Sequence, residues 1–254
     1  MIDIGLFGFA RVHDTDRQVA LTEFQGVKPR QVLQILALSQ GHALSKDRLA
    51  DLLWQGKPPA SWVSTLEGYV SLLRHALQPG ISARHSVLIT SSGGYRLDPA
   101  RVRVDVLHFD ELVCRVEGAS EVDALELFAS AFRLVRGEVL ENERPAPWIL
   151  EARDRYRQRV RRAATVAGRL ALSCGDPSAA AKYGQLACDL DPLAEDAWQI
   201  VIEAYWRAER RSEALRSFSS LRTLLDRELG VMPGRALQRL YTAVLRDEPW
   251  PQVA

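Results

Sequence analysis

Residues 61–97 read SWVSTLEGYVSLLRHALQPGISARHSVLITSSGGYRL, and this stretch decides the fold of the first part of the chain. Its beginning predicts a helix over about residues 61–77, because apolar residues recur at the spacing of one buried helical seam. The seam consists of Leu66, Val70, Leu73 and Leu77. Its end predicts a β-hairpin, with strands at 87–90 and 95–97 around the sequence Ser91-Ser92-Gly93-Gly94, where glycine permits a positive φ.

Two shorter helices are predicted before this stretch. From Pro29 an apolar helical stripe continues to Gly41, where it stops. Ser45 has the side-chain chemistry of an N-cap and predicts a second helix that ends near Trp54. Residues 55–59 read QGKPP and must form a loop, because neither proline fits inside a helix.

The first 25 residues contain short β-type runs at 2–9 and 18–21, separated by a turn-like segment at 14–16. The resulting order is strands, three helices and a β-hairpin. This is the order of a winged helix-turn-helix, in which the third helix enters the major groove of DNA and the hairpin lies along the flanking backbone.

Past Arg103 the strand signals disappear and seven helices follow. They are predicted at 105–118, 120–136, 148–174, 178–189, 194–208, 212–229 and 234–247. The sequence therefore predicts two domains, residues 1–104 and residues 105–254.

The helical half contains a weak repeat of 34 residues, with units at 161–194 and 195–228. Small, aromatic and proline residues occupy positions of the tetratricopeptide pattern. They are Gly168, Ala180, Ala187 and Pro192 in the first unit, and Trp198, Tyr205, Ala214 and Phe218 in the second. Ile202 and Asp226 break the pattern, so a generic helical bundle stays open as the alternative. Such repeats present concave surfaces to proteins or peptides.

Composition indicates a soluble, cytoplasmic protein. The 254 residues are 47% hydrophobic, no apolar run reaches the roughly 18 residues that a membrane span needs, and the first ten residues do not resemble a signal peptide. The net charge of +1 divides into +4 over residues 1–104 and −3 over the remainder. A basic front half and an acidic back half suit a module that faces nucleic acid joined to one that faces a partner, although a difference this small also fits ordinary surface variation.

The sequence contains little that indicates a catalytic, metal or cofactor site. The three cysteines, Cys114, Cys174 and Cys188, are an odd count at unrelated spacings within helical patterns, and we expect them to be reduced packing residues. The five histidines never pair closely with another ligand type, so we predict neither a metal ion nor a cofactor. A phosphate-binding glycine loop and a Ser/His/Asp arrangement are also absent, and we predict that the protein is not an enzyme.

Several segments together resemble the Streptomyces antibiotic regulatory protein family. Two lie in the first half, TLEGYVSLLRHAL at 65–77 and ITSSGGYRL at 89–97. The others resemble its bacterial transcriptional activation domain: LVRGEVL at 134–140, Trp148 followed by Glu151 and Arg153, DPL at 191–193 followed by Glu195, and ELGVMP at 228–233. The resemblance covers nearly the whole chain. It implies a mainly α fold with a small β component, an OmpR-like winged helix followed by an all-α, tetratricopeptide-like domain.

The resemblance also implies a function. Family members are sequence-specific activators of secondary-metabolite (antibiotic) gene clusters in actinomycetes. They bind direct repeats in double-stranded promoter DNA near the −35 region, with two protomers side by side, and recruit RNA polymerase holoenzyme through its sigma factor and other subunits. The chain would be a small member, without the ATPase, sensor or receiver domains of larger relatives.

The predicted DNA contacts lie on the third helix and on the wing. The residues are Trp62, Ser64, Thr65, Gly68, Tyr69, Leu72, Arg74 and His75 on the helix, and Ser91, Ser92, Gly93 and Arg96 on the wing. Hydroxyls and helix N-termini suit phosphates, whereas methyl groups and aromatic edges suit thymine and sugars. For Arg74 two roles stay open, phosphate binding or bracing of the helix by an ion pair. We expect Arg74→Ala or Thr65→Ala to reduce promoter binding.

This helix departs from its family in charge. Gln, Thr, Arg and Arg are frequent in the family where this chain has Glu67, Gly68, Leu72 and His75. The loss of two cations and the gain of an anion reduce the counterion release that drives DNA binding. Either the DNA backbone approaches closely at Gly68, or the protein binds weakly alone and depends on its partners, which is the interpretation that we favour.

The loop at 54–60 corresponds to the turn that response-regulator relatives present to polymerase, so Lys57 and Pro58 are candidate polymerase contacts. A rigid proline turn without a partner is the alternative. The main rival to the whole interpretation is a helical-repeat adaptor protein, in which the winged helix binds protein or forms a dimer instead of binding DNA.

Overall fold

The structure is a computed structural model that describes residues 1–14, 17–91 and 93–248. Within them the strands are β1 Ile2–Gly5, β2 Arg11–Asp14, β3 Arg17–Val19, β4 Leu44–Ser45, β5 Leu88–Ser91, β6 Gly94–Leu97 and β7 Val102–Val104. The helices are α1 Val27–Leu38, α2 Lys46–Trp54, α3 Trp62–Leu77, α4 Asp105–Cys114, α5 Glu121–Leu134, α6 Pro147–Ser173, α7 Pro177–Leu190, α8 Glu195–Arg207, α9 Arg211–Leu229 and α10 Arg235–Arg246. The predicted fold class is confirmed.

The first sheet has the strand order β3-β2-β1-β7. Its strands pair antiparallel except for β1 and β7, which run parallel with Ile2 opposite Val102. The sequence did not predict β7. The strand predicted over 2–9 ends at Gly5, and the predicted turn at 14–16 falls largely on residues 15 and 16, which lie outside the described residues.

The three helices and the hairpin of the winged helix are confirmed. Ser45 is the N-cap of α2, and its hydroxyl accepts a hydrogen bond from the backbone N–H of Arg48 at 3.1 Å. The second sheet, in the order β4-β6-β5, joins the hairpin to the short strand before α2. A Cβ on Gly94 would lie 1.8 Å from the carbonyl oxygen of Leu44, so only glycine allows β4 and β6 to approach this closely.

The chain forms two compact units that do not coincide with the predicted domain ranges. The N-terminal unit contains Met1–Leu112 and Ala131–Tyr156, and the C-terminal unit contains Val113–Ser130 and Arg157–Ala254. These units describe compactness in space, and the boundary predicted after residue 104 stays a prediction about domains.

Two buried carboxylates hold the N-terminal unit together. Asp105 accepts hydrogen bonds from the backbone N–H groups of Leu6 and Phe7, at 2.7 and 3.2 Å. Glu143, in the loop before α6, accepts from Nη2 of Arg30 at 3.1 Å and from Nε2 of Gln34 at 2.9 Å. Both carboxylates therefore join segments that lie about a hundred residues apart along the chain.

The C-terminal unit is built by helices that pack against helices one or two elements away along the chain. A Cβ on Gly168 of α6 would lie 2.9 Å from the side chain of Ile200 in α8, and a Cβ on Gly184 of α7 would lie 2.9 Å from that of Val201. The predicted alanine positions of the repeat, Ala180, Ala187 and Ala214, are fully buried. No helix within the described residues combines the length and the apolar character that crossing a bilayer requires.

Candidate nucleic-acid interface

Helix α3 is oriented by the predicted apolar seam. Leu66, Val70, Leu73 and Leu77 are all at most 1% exposed. The helix starts after the proline loop, and the hydroxyls of Ser64 and Thr65 both donate to the carbonyl oxygen of Ser61. Burial of the seam leaves the opposite side of α3 facing away from the core.

The exposed side of α3 is a narrow stripe of mostly small residues. We call it the recognition stripe, and it consists of Ser64, Glu67, Gly68, Ser71 and His75. A Cβ on Gly68 would meet nothing within 4 Å. Three of the predicted contact residues, Ser64, Gly68 and His75, lie on the stripe.

Four other predicted contacts lie at the margin of the stripe. Trp62, Thr65, Tyr69 and Leu72 are half-buried. The ring of Tyr69 stacks on Trp54 of α2, with the centroids 6.4 Å apart, so part of its surface is used inside the protein. The prediction missed Ser71, although it lies seven residues after Ser64 and the helical period indicates the same face.

Arg74 braces α3 against the wing. Its Nε and Nη2 donate to the carbonyl oxygen of Leu88 at 3.0 and 2.9 Å, and Nη2 also donates to the hydroxyl of Thr90 at 2.9 Å. Of the two roles left open by the sequence, bracing is therefore observed. Its acceptors are neutral oxygens of β5, whereas the sequence suggested an ion pair.

The wing presents the other predicted residues. Gly93 is exposed with φ of +75°, as predicted for the hairpin turn, while Ser91 and Arg96 are half-buried. Arg96 alternates along β6 with the buried Tyr95 and Leu97, so its side chain emerges from the opposite face of the strand. The predicted contact at Ser92 lies outside the described residues.

The stripe contains no lysine or arginine, and one cation contacts it from α2. Glu67 of the stripe pairs with Lys46 at the start of α2, with 2.6 Å between Oε1 and Nζ. This hydrogen bond raises the pKa of Lys46. Two exposed cations of the same unit, Arg48 and Arg84, were not among the predicted contacts, because both lie outside the third helix and the wing. Neither has an ion-pair partner among the described residues.

The loop between α2 and α3 extends into solvent. Every residue from Gln55 to Ala60 is exposed, including the predicted polymerase contacts Lys57 and Pro58. The backbone N–H of Lys57 donates to the carbonyl oxygen of Trp54 at 3.1 Å, which closes the first turn of the loop. The loop is therefore a formed surface feature that a partner can reach.

Cysteine and metal chemistry is limited in the described part of the chain. Cys114 and Cys174 are exposed, while Cys188 is buried, and burial raises the pKa of its thiol to about 12. No group of three or more His, Cys, Asp or Glu side chains in that part is arranged to hold a metal ion.

Comparison with known proteins places both halves of the chain. Residues 104–245 match the family "Bacterial transcriptional activator domain", and residues 19–97 match "Transcriptional regulatory protein, C terminal". The regulatory protein DnrI of Streptomyces peucetius is 33% identical over 245 residues, which cover 87% of this chain and 85% of DnrI. The transcriptional regulator RedD of Streptomyces coelicolor is 29% identical, over 87% of this chain and 65% of RedD.

A solved structure is similar over almost the whole chain. It is that of Mycobacterium tuberculosis EmbR in complex with a low-affinity phosphopeptide, with a TM-score of 0.81 and 25% identity. The match covers 98% of this chain and 66% of the EmbR chain.

Proposed function

This chain belongs to the Streptomyces antibiotic regulatory protein family of transcriptional regulators, and on that premise we propose that it activates the genes of an antibiotic biosynthetic cluster by binding their promoter DNA. It binds direct repeats near the −35 region and recruits RNA polymerase holoenzyme. It acts in the cytoplasm by binding alone, without catalysis.

The recognition stripe is the observation that supports DNA binding most strongly. A helix that reads base edges must lie deep in the major groove, which is about 12 Å wide and about as wide as the helix with its side chains. Ser64, Gly68 and Ser71 are exposed and small, so the backbone of α3 can approach the bases closely. The packing inside the protein does not require Gly68, because a Cβ there would occupy open space.

Phosphate contacts come from cations of the N-terminal unit outside the stripe. Arg96 on the wing and Arg48 and Arg84 elsewhere in this unit can each neutralise a phosphate. Every neutralised phosphate releases counterions and adds to affinity in a manner that depends on salt. This division of labour, with bases read by the stripe and phosphates held outside it, matches the general pattern of DNA-binding helices.

RNA polymerase contacts the exposed loop between α2 and α3. Lys57 is the only charged side chain between Trp54 and Ala60, and it suits an acidic patch on the polymerase or its sigma factor. Two protomers occupy adjacent repeats side by side, which compensates for the low positive charge of the stripe itself.

One observation favours the adaptor alternative. The recognition stripe contains no lysine or arginine, and its one charged side chain, the carboxylate of Glu67, pairs with Lys46 of α2. A winged helix of this kind could bind a protein. The adaptor predicts that promoter DNA is not bound under any condition, with or without polymerase.

Footprinting tests the two alternatives directly. The full chain is incubated with promoters encoded beside its own gene, with and without RNA polymerase holoenzyme, over a range of salt concentrations. We expect protection of direct repeats near the −35 region, weak for the protein alone and strong with polymerase. Absence of protection in both conditions would contradict the proposal and favour the adaptor.

Two charge variants test the assigned contacts. Arg96→Ala should weaken binding to all sequences alike and reduce the magnitude of the salt slope by about one. Lys57→Ala should leave binding by the protein alone nearly unchanged and remove most of the gain from polymerase. The matched control is Lys182→Ala, which removes one exposed charge from α7 and should change neither quantity.

A further inference from the structure

Glu67 is the only acidic residue of α3, and it lies on the recognition stripe between Ser64 and Ser71. Its side chain is 52% exposed. An anion on a surface that faces DNA is unfavourable unless it makes a specific contact. The general attraction between cations and DNA phosphates does not explain an acidic residue at this position, so Glu67 needs a specific role.

The carboxylate of Glu67 is held in place. Oε1 lies 2.6 Å from Nζ of Lys46, and this ammonium group lies over the ring of Tyr95, 6.0 Å from its centroid. Lys46 is thus oriented by α3 on one side and by β6 on the other. The second carboxylate oxygen of Glu67 accepts no hydrogen bond from the described residues, so it is available to a ligand.

The major groove offers two amino donors to an oxygen of this kind, N4 of cytosine and N6 of adenine, whereas guanine and thymine present acceptors that would repel it. A carboxylate only accepts hydrogen bonds, so cytosine suits it better than adenine, which presents the acceptor N7 on the same base edge. In a C·G pair the cytosine donor lies beside the acceptors of guanine. A carboxylate with an ammonium group next to it complements this pattern.

We infer that Glu67 reads the N4 amino group of a cytosine in the major groove and that Lys46 positions it for this contact. Lys46 also compensates the negative charge of the carboxylate, which reduces its repulsion of the DNA phosphates. The inference rests on the proposed DNA-binding function and adds a specificity determinant to it: one C·G pair within each bound repeat.

Binding-site selection from randomised double-stranded DNA tests the inference with the full chain. The wild-type protein should select cytosine at one position of the repeat, and replacing that C·G pair by T·A should weaken binding about tenfold. Glu67→Gln should change the preference at that position from cytosine to adenine, because glutamine pairs with N6 and N7 of adenine. Glu67→Ala should remove the preference at that position and leave the other positions unchanged.

Lys46→Ala and Asp51→Ala complete the set. Lys46→Ala should weaken the cytosine preference, because the carboxylate loses its orientation and charge compensation. Asp51→Ala removes an exposed carboxylate from α2 outside the stripe, and it should keep the preference. Exposed ion pairs contribute little to folding, so thermal unfolding should confirm that all four variants are folded.

The outcomes separate this inference from the proposed function. If Glu67→Gln and Glu67→Ala select the same sequence as the wild type, the inference is wrong while DNA binding stands. If Glu67→Ala only raises the affinity for every sequence, Glu67 acts by repelling phosphates and the inference is again wrong. If the wild type selects no sequence at all, with or without polymerase, the proposed function itself fails.

Discussion

The two compact units are stabilised in different ways. In the N-terminal unit, Asp105 and Glu143 are buried and connect segments about a hundred residues apart. In the C-terminal unit, Gly184 lies against Ile200 and Val201, which belong to the next helix along the chain. Buried polar groups therefore add long-range connections to the apolar core of the N-terminal unit, while the C-terminal unit is marked by close approach between its helices.

Removal of a buried carboxylate should give the largest effect and should be confined to the N-terminal unit. Glu143→Ala leaves the guanidinium of Arg30 and the amide of Gln34 without their acceptor. Breaking a buried ion pair by deleting one partner costs about 3 kcal/mol or more. Hydrogen exchange followed by mass spectrometry should show strongly faster exchange in α1 and no change in α8.

The buried thiol of Cys188 gives an independent readout for the C-terminal unit. Burial raises its pKa to about 12, so at pH 8 it should react with a thiol reagent only when the unit opens. Its labelling rate should be equal in Glu143→Ala and in the wild type. The control is Glu138→Ala, which breaks a more exposed pair with Arg153 and should cost less than about 1 kcal/mol. Equal exchange in α1 for both variants would refute the contrast between the units.

This contrast also explains what the sequence could predict. The seven helices after residue 104 were predicted to within a few residues, because their apolar periodicity is a local signal. Strand β7 was missed because it is three residues long and its partner β1 lies a hundred positions away. Glu143 lies in a proline-containing loop without periodicity, so no pattern indicates that its side chain is buried against Gln34.

As with the fold, the sequence predicts only those features of the candidate site that have a local signal. The buried seam of α3 follows from spacing alone and is confirmed. Spacing alone does not predict the centre of the exposed face. Trp54 covers part of Tyr69, Lys46 pairs with Glu67, and Trp54 and Lys46 both belong to α2. Contacts between helices therefore decide which of the outward-facing residues are free to meet DNA.

Loss of the Arg74 brace should have an intermediate effect, confined to the wing. Arg74→Ala removes hydrogen bonds from a charged donor to Leu88 and Thr90, and each such bond contributes about 1.5–3 kcal/mol. Hydrogen exchange should accelerate in β5 and β6, and promoter affinity should fall as a consequence. Arg74→Lys should restore little, because an ammonium group cannot reproduce the planar fork of the guanidinium.

Thr65→Ala is the control for Arg74. Its hydroxyl donates only to the first turn of α3, so the wing should exchange at the wild-type rate. If Arg74→Ala leaves the wing unchanged but reduces both affinity and salt slope, then Arg74 binds phosphate, and the N-terminal unit does not depend on this polar contact.

The smallest effects should come from two helical glycines, and these effects should have opposite signs. An alanine at position 184 would place a methyl group 2.9 Å from Val201 and 3.0 Å from Ile200, so crowding should outweigh the gain in helix propensity and cost about 1 kcal/mol. An alanine at position 68 would meet nothing within 4 Å and should stabilise α3 by about 1 kcal/mol. Cys188 labelling should therefore accelerate in Gly184→Ala, while exchange in α3 should slow in Gly68→Ala.

Promoter binding then separates folding from function at these two positions. Gly68→Ala should lower promoter affinity several-fold although it stabilises the protein, because its methyl group would lie where α3 approaches the bases. Gly184→Ala should leave the affinity of the folded protein unchanged. If Gly68→Ala binds DNA as tightly as the wild type, the backbone does not approach closely at this residue, and the weak positive charge of the recognition stripe has to be offset by partners alone.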